Sequence, residues 1–321
     1  MYSNDAPGNF HGYRILNTAS PSVWGERYVA AYEPHGRKML LWKPPASLAT
    51  DESAWRLMCA ELGAWSRLEM EGALPLLDWG IYDSSPYFIT SLPSGRELSE
   101  IIAEGVDEVS AAEIVASLSY VIEGARLRGI LHLGINPGDI WLREDLSVEV
   151  AGFGLWYVAK DFSNIYHLDS VFVAPEQRKG GRVSSATDVY ALAVIYLTLA
   201  LGQIPSDPIE DLRSADDLQE RIPPFVYRCI EERPIARCLT AGDFAEHLIA
   251  RFPVGNEGSI RDEECPICRL QAQRRHLLGE SRPHARHGQA DLRGLQKERA
   301  VRLLIFFLLV ATVIVWWLAL R

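Results

Sequence analysis

The sequence predicts an α+β chain: a strand-rich first part of about 90 residues, a helix-rich part of about 160, and one apolar span at the end. Three observations carry this reading. Short apolar runs broken by turn residues continue to residue 91, apolar residues fall at helical spacing after Gly95, and Leu303–Leu320 is 18 residues without a charge.

Tyr13–Leu16 and Arg27–Ala31 read as short strands, and the turn signal Pro34-His35-Gly36 leads into an apolar strand at Lys38–Lys43. Ser53–Leu68 has helical spacing, with Asp51 and Ser53 as capping candidates. Leu74–Gly80 and Tyr87–Ser91 are two further strands. Helices are then expected at Leu98–Ala103, Ala111–Leu127, Ser185–Leu201 and Ala241–Arg251. Residues 255–302 are polar and arginine-rich, and no internal repeat is visible.

A chain of 321 residues that is 48% hydrophobic and 23% charged is neither disordered nor fibrous. Its net charge of −10 argues against a general nucleic-acid binder. The charge is uneven: residues 261–302 carry +4, whereas residues 1–260 carry −15. Five cysteines, with Cys59, Cys229 and Cys238 each alone in the sequence, do not form a disulfide framework and fit a reducing compartment. The N-terminal residues lack the basic-then-apolar pattern of a signal peptide.

Residues 303–320 would span roughly 27 Å as a helix, close to the hydrocarbon thickness of a bilayer. Thr312 can bond back to its own helix, and Trp316 and Trp317 suit an interface. Arg293, Lys297, Arg299 and Arg302 precede the span and only Arg321 follows it, so the positive-inside rule leaves the body of the chain in the cytoplasm. The expectation is a single-pass tail anchor.

Several motifs occur in a fixed order over residues 13–252. They are His132-Leu133-Gly134-Ile135-Asn136-Pro137-Gly138-Asp139-Ile140, Ala151-Gly152-Phe153-Gly154-Leu155, Ala174-Pro175-Glu176-Gln177, Thr187-Asp188-Val189-Tyr190-Ala191-Leu192 and Glu232-Arg233-Pro234. Together with Trp42-Lys43 at a strand end and Glu61 in the following helix, this order resembles the protein kinase family. The motifs stand where that family has its catalytic loop, its D-F-G turn, its A-P-E segment, a helix start and a late E-R-P. The resemblance implies a bilobal protein-kinase-like fold, with an antiparallel-sheet N-lobe over 13–92 and a helical C-lobe over 93–255. A tail (1–12), a juxtamembrane linker (256–302) and the transmembrane helix (303–320) complete the division. A-P-E-Q followed by Gly-Gly looks like the bacterial serine/threonine kinases, and the resemblance implies that the anchored membrane is a bacterial inner membrane.

The resemblance also shows what has been replaced. Gly134 stands where the family has its catalytic aspartate, Asn136 where it has a phosphate-contacting lysine, and Gly152 where it has the main metal-binding aspartate. The three glycines of the family's phosphate loop fall at Ser20, Ser22 and Gly25, with Pro21 removing an N–H. Asp169 replaces a threonine before the A-P-E segment. Asp139 replaces an asparagine metal ligand, and a carboxylate suits a hard cation. The nucleotide-binding candidates are therefore Lys43 paired with Glu61, the hinge backbone at Ser91 and Leu92, and Asp139. Glu176 paired with Arg233, and Asp188, are the structural positions. The expectation drawn from these losses is a pseudokinase acting as a scaffold or regulatory module for an unidentified protein partner. Cofactors are not required; ATP would bind without efficient turnover. The alternative is an atypical active serine/threonine kinase using ATP.

Before the anchor, Cys265-Pro266-Ile267-Cys268 is followed by His284 and His287, with His276 as a substitute. Two thiolates and two imidazoles can make a tetrahedral zinc site, and a second alternative puts function there, as a zinc-dependent interaction module.

Overall fold

The computed structural model describes residues 8–159, 170–208 and 222–252. All belong to one of two compact units of the chain, residues 1–280. The expected transmembrane helix, the Cys265/Cys268/His284/His287 cluster and Asp169 lie outside the described residues. Among the described residues, no helix is long and apolar enough to cross a membrane.

The first part is an antiparallel sheet of six strands in the order β1-β2-β3-β4-β6-β5. These are β1 (Asn9–Phe10), β2 (Tyr13–Thr18), β3 (Glu26–Tyr32), β4 (Arg37–Lys43), β5 (Leu76–Tyr82) and β6 (Ser85–Ser91). The sheet thus begins four residues earlier than expected, because Asn9 and Phe10 pair with Arg14 and Tyr13. Side chains alternate between faces. On β4, Leu40 and Trp42 join the main core, whereas Met39 and Leu41 join a separate outer cluster with Tyr13, Tyr87 and Ile89. A short helix, α1 (Ser47–Thr50), precedes α2 (Glu52–Trp65). Asp51 caps α2, its side chain accepting from the Ala54 N–H, and Met58, Leu62 and Trp65 form the buried stripe.

After Ser91 the chain enters the helical part through β7 (Arg96–Glu97) and α3 (Leu98–Ile102). The longest helix, α4 (Glu108–Leu127), is buried over most of its length, and Asp107 caps it through the Val109 and Ser110 N–H groups. Strands β8 (Ile140–Leu142) and β9 (Val148–Val150) complete a second, three-stranded sheet with β7. Two short helices follow, α5 (Trp156–Ala159) and α6 (Pro175–Arg178). Helix α7 (Ser185–Leu201) is buried from Ala186 to Leu199, which explains its nearly unbroken apolar sequence: it runs through the middle of the lobe. Helices α8 (Pro224–Cys229) and α9 (Ala241–Arg251) pack beside it.

Candidate functional site

The catalytic-loop segment 132–139 is held by buried polar contacts. Asp188, at the start of α7, accepts from the backbone N–H groups of His132 (3.1 Å) and Leu133 (2.7 Å). The Leu133 carbonyl accepts from the Gln177 side chain at 2.7 Å. These bonds fix Leu133 at φ 62°, a left-handed conformation that a leucine adopts only under such constraint. Burial pushes the Asp188 carboxyl up to about 7, against the two backbone N–H groups that favour its charged form. His132 is likewise buried, which lowers its ring to about 4. Its Nε2 lies 3.0 Å from the Ala151 carbonyl, and its Nδ1 accepts from the Gly134 N–H at 3.3 Å, so the partners select the neutral Nε2–H form.

Asp139 ends this segment and is 1% exposed. Ser22 Oγ donates to one of its oxygens at 2.9 Å; Trp24 Nε1 (2.9 Å) and Asn136 Nδ2 (2.7 Å) donate to the other. Burial pushes its carboxyl up, and Arg27, Asn136 and Ser22 oppose that. The Arg27 guanidinium reaches across the cleft to Glu97 Oε2 (2.7 Å) and the Gly138 carbonyl (2.8 Å), and lies 3.8 Å from Asp139. It also sits over the Trp42 and Trp141 rings at 5.1 and 5.5 Å. The loop at residues 20–25 is thereby fastened down on the catalytic segment.

Gly25 makes the close approach possible: with φ at 123°, a Cβ there would lie 2.2 Å from the Lys43 carbonyl oxygen. Gly152 has a second structural consequence. It adopts φ 91°, and a Cβ on it would lie 3.0 Å from Trp24 Nε1. Loss of the carboxylate at position 152 and entry of the Trp24 indole therefore go together sterically. Gly134 is buried and contributes only backbone groups: its N–H donates to His132 and its carbonyl accepts from Asn136.

Two sequence expectations are corrected. Lys43 does not pair with Glu61. By alternation it shares the outer face with Met39 and Leu41, and its ammonium lies 5.0 Å from the Phe10 ring centroid. The inner face of the strand runs Leu40, Trp42 and then Pro44, so no lysine enters the cleft there. Glu61 instead abuts Gly154; burial raises its carboxyl, and no ion pair joins it to Lys43 among the described residues. The second correction concerns Glu176, whose partner is Arg237 rather than Arg233. Arg237 forms a two-point bridge at 2.8 and 2.9 Å and is fully buried, whereas Arg233 is exposed. Both arginines lie in the same short segment, and only burial distinguishes them.

At the hinge, the Ser91 N–H donates to the Pro75 carbonyl, and Leu92 borders a cleft of about 420 Å³ shared with Val29, Leu40, Arg27, Glu97 and Trp141. That volume falls within the range of small-molecule sites. Among the described residues, no cluster of three or more His, Cys, Asp or Glu could hold a metal. Sequence reasoning missed Trp24, Arg27 and Glu97. The signal present was a tryptophan and an arginine in a segment that the resemblance reads as a glycine loop.

No family model matches the chain. A probable serine/threonine-protein kinase of Clostridium perfringens is 27% identical over 220 residues, 62% of this chain and 32% of the relative. The serine/threonine-protein kinase PrkC of Bacillus subtilis is 28% identical over 202 residues, 61% of this chain and 31% of the relative. The chain thus spans about a third of the length of these curated relatives. The PknI kinase domain of Mycobacterium tuberculosis superposes with a TM-score of 0.63 at 21% identity, covering 78% of this chain and 100% of the domain. That similarity shows a bilobal kinase-like fold. The relatives also overturn the expectation of a pseudokinase scaffold, since they are named as serine/threonine kinases and favour the catalytic alternative. The chain thus has a protein-kinase-like fold, and its sequence is similar to bacterial serine/threonine kinases.

Proposed function

We propose that the chain is an atypical serine/threonine protein kinase that uses ATP and a divalent cation. The observation that carries this reading is Asp139, a buried carboxylate at the end of the catalytic segment, directly beneath the loop at 20–25. Phosphoryl transfer depends on positioning and electrostatics more than on covalent chemistry, so a single well-placed carboxylate and a guanidinium can supply part of what the missing groups supplied. The cleft beside Leu92 and Trp141 offers room for a purine. Opening requires Trp24 and Ser22 to leave Asp139, which frees one of its oxygens and leaves the other bonded to Asn136 alone. A cation held by Asp139 would neutralise phosphate charge. Arg27, already on the cleft face, offers the cationic fork for phosphate oxygens that Lys43 cannot.

No side chain at position 134 can accept the proton of a substrate hydroxyl, and a missing base lowers the rate by about 10²–10⁴-fold. The reading is therefore of a slow kinase. Residues 303–320 would tether it to a bilayer with the kinase-like part on the cytoplasmic side, supported by the 18 uncharged residues and the basic residues before them. Incubating the full chain with γ-labelled ATP, Mg²⁺ or Mn²⁺ and serine- and threonine-containing peptides tests the proposal. Metal-dependent label on a hydroxyl, lost in Asp139→Asn, is the expected result. Label that persists in Asp139→Asn would remove Asp139 from the chemistry, and no label would remove the activity.

A further inference from the structure

Cys229 and Cys238 stand apart in the sequence but meet in the fold: their sulfurs are 3.3 Å apart, with Cys229 donating. Both are free thiols. Cys229 is the last residue of α8 and is fully buried; Cys238 is half-buried, two residues before the Thr240 cap of α9. The segment between them carries Arg237, whose guanidinium donates to the Glu231 and Glu232 carbonyls of that same segment while gripping Glu176. Two thiols in contact across such a loop need their sulfurs to close by only about 1.3 Å to reach a disulfide bond length.

We propose that Cys229 and Cys238 are a modification site that forms a reversible disulfide, fastening the Arg237 segment to α8. The inference is independent of the proposed kinase activity, because it rests on thiols away from the Asp139 cleft. Cys238 is the attacking group. The Cys229 S–H hydrogen bond lowers its thiol to about 7, helped by His247 and Arg228 and opposed by burial and Asp243. The same contact and, after it, burial raise Cys229, which keeps its proton. The oxidant is a hydroperoxide. The Cys238 thiolate attacks the O–O bond, giving a sulfenic acid and hydroxide. The Cys229 sulfur then displaces the sulfenic oxygen, which leaves as water, while the hydroxide takes up the proton that Cys238 released. Two thiols and one hydrogen peroxide give one disulfide and two waters, with two electrons passing from sulfur to peroxide. A cellular dithiol would reverse the change.

The test uses the full chain treated with hydrogen peroxide, alkylated, and cleaved after arginine. The expected product is the peptide Cys229–Arg237 joined to Cys238–Arg251, two hydrogens lighter than the separate pair and released by dithiothreitol. Closing this short loop should also raise the melting temperature by about 5 °C, a shift absent from Cys238→Ser. Cys265 and Cys268 serve as an internal comparison, since they occur on a different peptide. Full alkylation of both Cys229 and Cys238 under conditions that oxidise Cys265 and Cys268 would overturn the proposal. So would pairing of Cys229 or Cys238 with any other cysteine in preference to each other.

Discussion

Replacing Arg27 with alanine tests how the two lobes are joined. Its side chain is 1% exposed and donates to the Ser20 carbonyl (2.5 Å), the Gly138 carbonyl (2.8 Å) and Glu97 Oε2 (2.7 Å). Alanine leaves Glu97 without its cation, bonded only to the Ser99 hydroxyl, and strips Asp139 of its nearby cation, and removing one partner of a buried ion pair costs about 3–5 kcal/mol. In a domain of this size each kcal/mol lowers the melting temperature by about 2–4 °C, so Arg27→Ala should melt about 6–20 °C below the wild type. Arg56→Ala is the control. Its pair with Glu52 is exposed at both ends and one helical turn apart, and such a pair contributes about 0.5 kcal/mol at most. Denaturant titration of the full chain, followed by tryptophan fluorescence, reads both. A loss for Arg27→Ala no larger than for Arg56→Ala would refute the claim that this cluster fastens the loop at 20–25 to the catalytic segment.

Arg237→Ala should destabilise by about 3–5 kcal/mol, because the buried Glu176 carboxylate is left without a cation and with only the Thr187 hydroxyl, while Arg233→Ala should stay within about 0.5 kcal/mol. The reverse order in a urea titration would restore the pairing expected from sequence. His132 gives a pH dependence of definite sign. Its folded-state value is lowered to about 4, so its contribution is fully present above pH 6.5 and is lost as the pH falls through 4. The contribution is about 3 kcal/mol, and the stability difference between wild type and His132→Asn should shrink by about that much from pH 7 to pH 4; an unchanged difference would contradict it.

Much of the fold was legible because its signals are local. Helix α7 begins and ends where the apolar spacing put it, and Asp51 caps α2 as its position suggested. Strands β8 and β9 were not foreseen: each has three residues and is specified by pairing with β7 rather than by its own pattern. The site was legible only in part. Motif order located Asp139, Asp188 and Glu176, but not which partner each side chain meets. Lys43 shows the reason: a one-residue difference in strand parity moves a side chain to the opposite face, and the strand's inner face is set by Trp42 packing on Phe88 and Trp141. Arg27 and Trp24 went unnoticed because their roles depend on residues more than 100 positions away. The contact between Cys229 and Cys238 was equally hidden, since the turn after α8 brings together two residues nine apart.

The rate of γ-phosphate transfer from ATP to a serine or threonine hydroxyl, compared in wild type, Trp24→Ala, Lys43→Ala and Asp139→Asn, tests the central claim most directly. The account predicts metal-dependent transfer in the wild type, an equal rate in Lys43→Ala because that ammonium lies outside the cleft, a faster rate in Trp24→Ala because the indole no longer occupies Asp139, and loss of transfer in Asp139→Asn. A rate indistinguishable from uncatalysed ATP hydrolysis in all four proteins would contradict it.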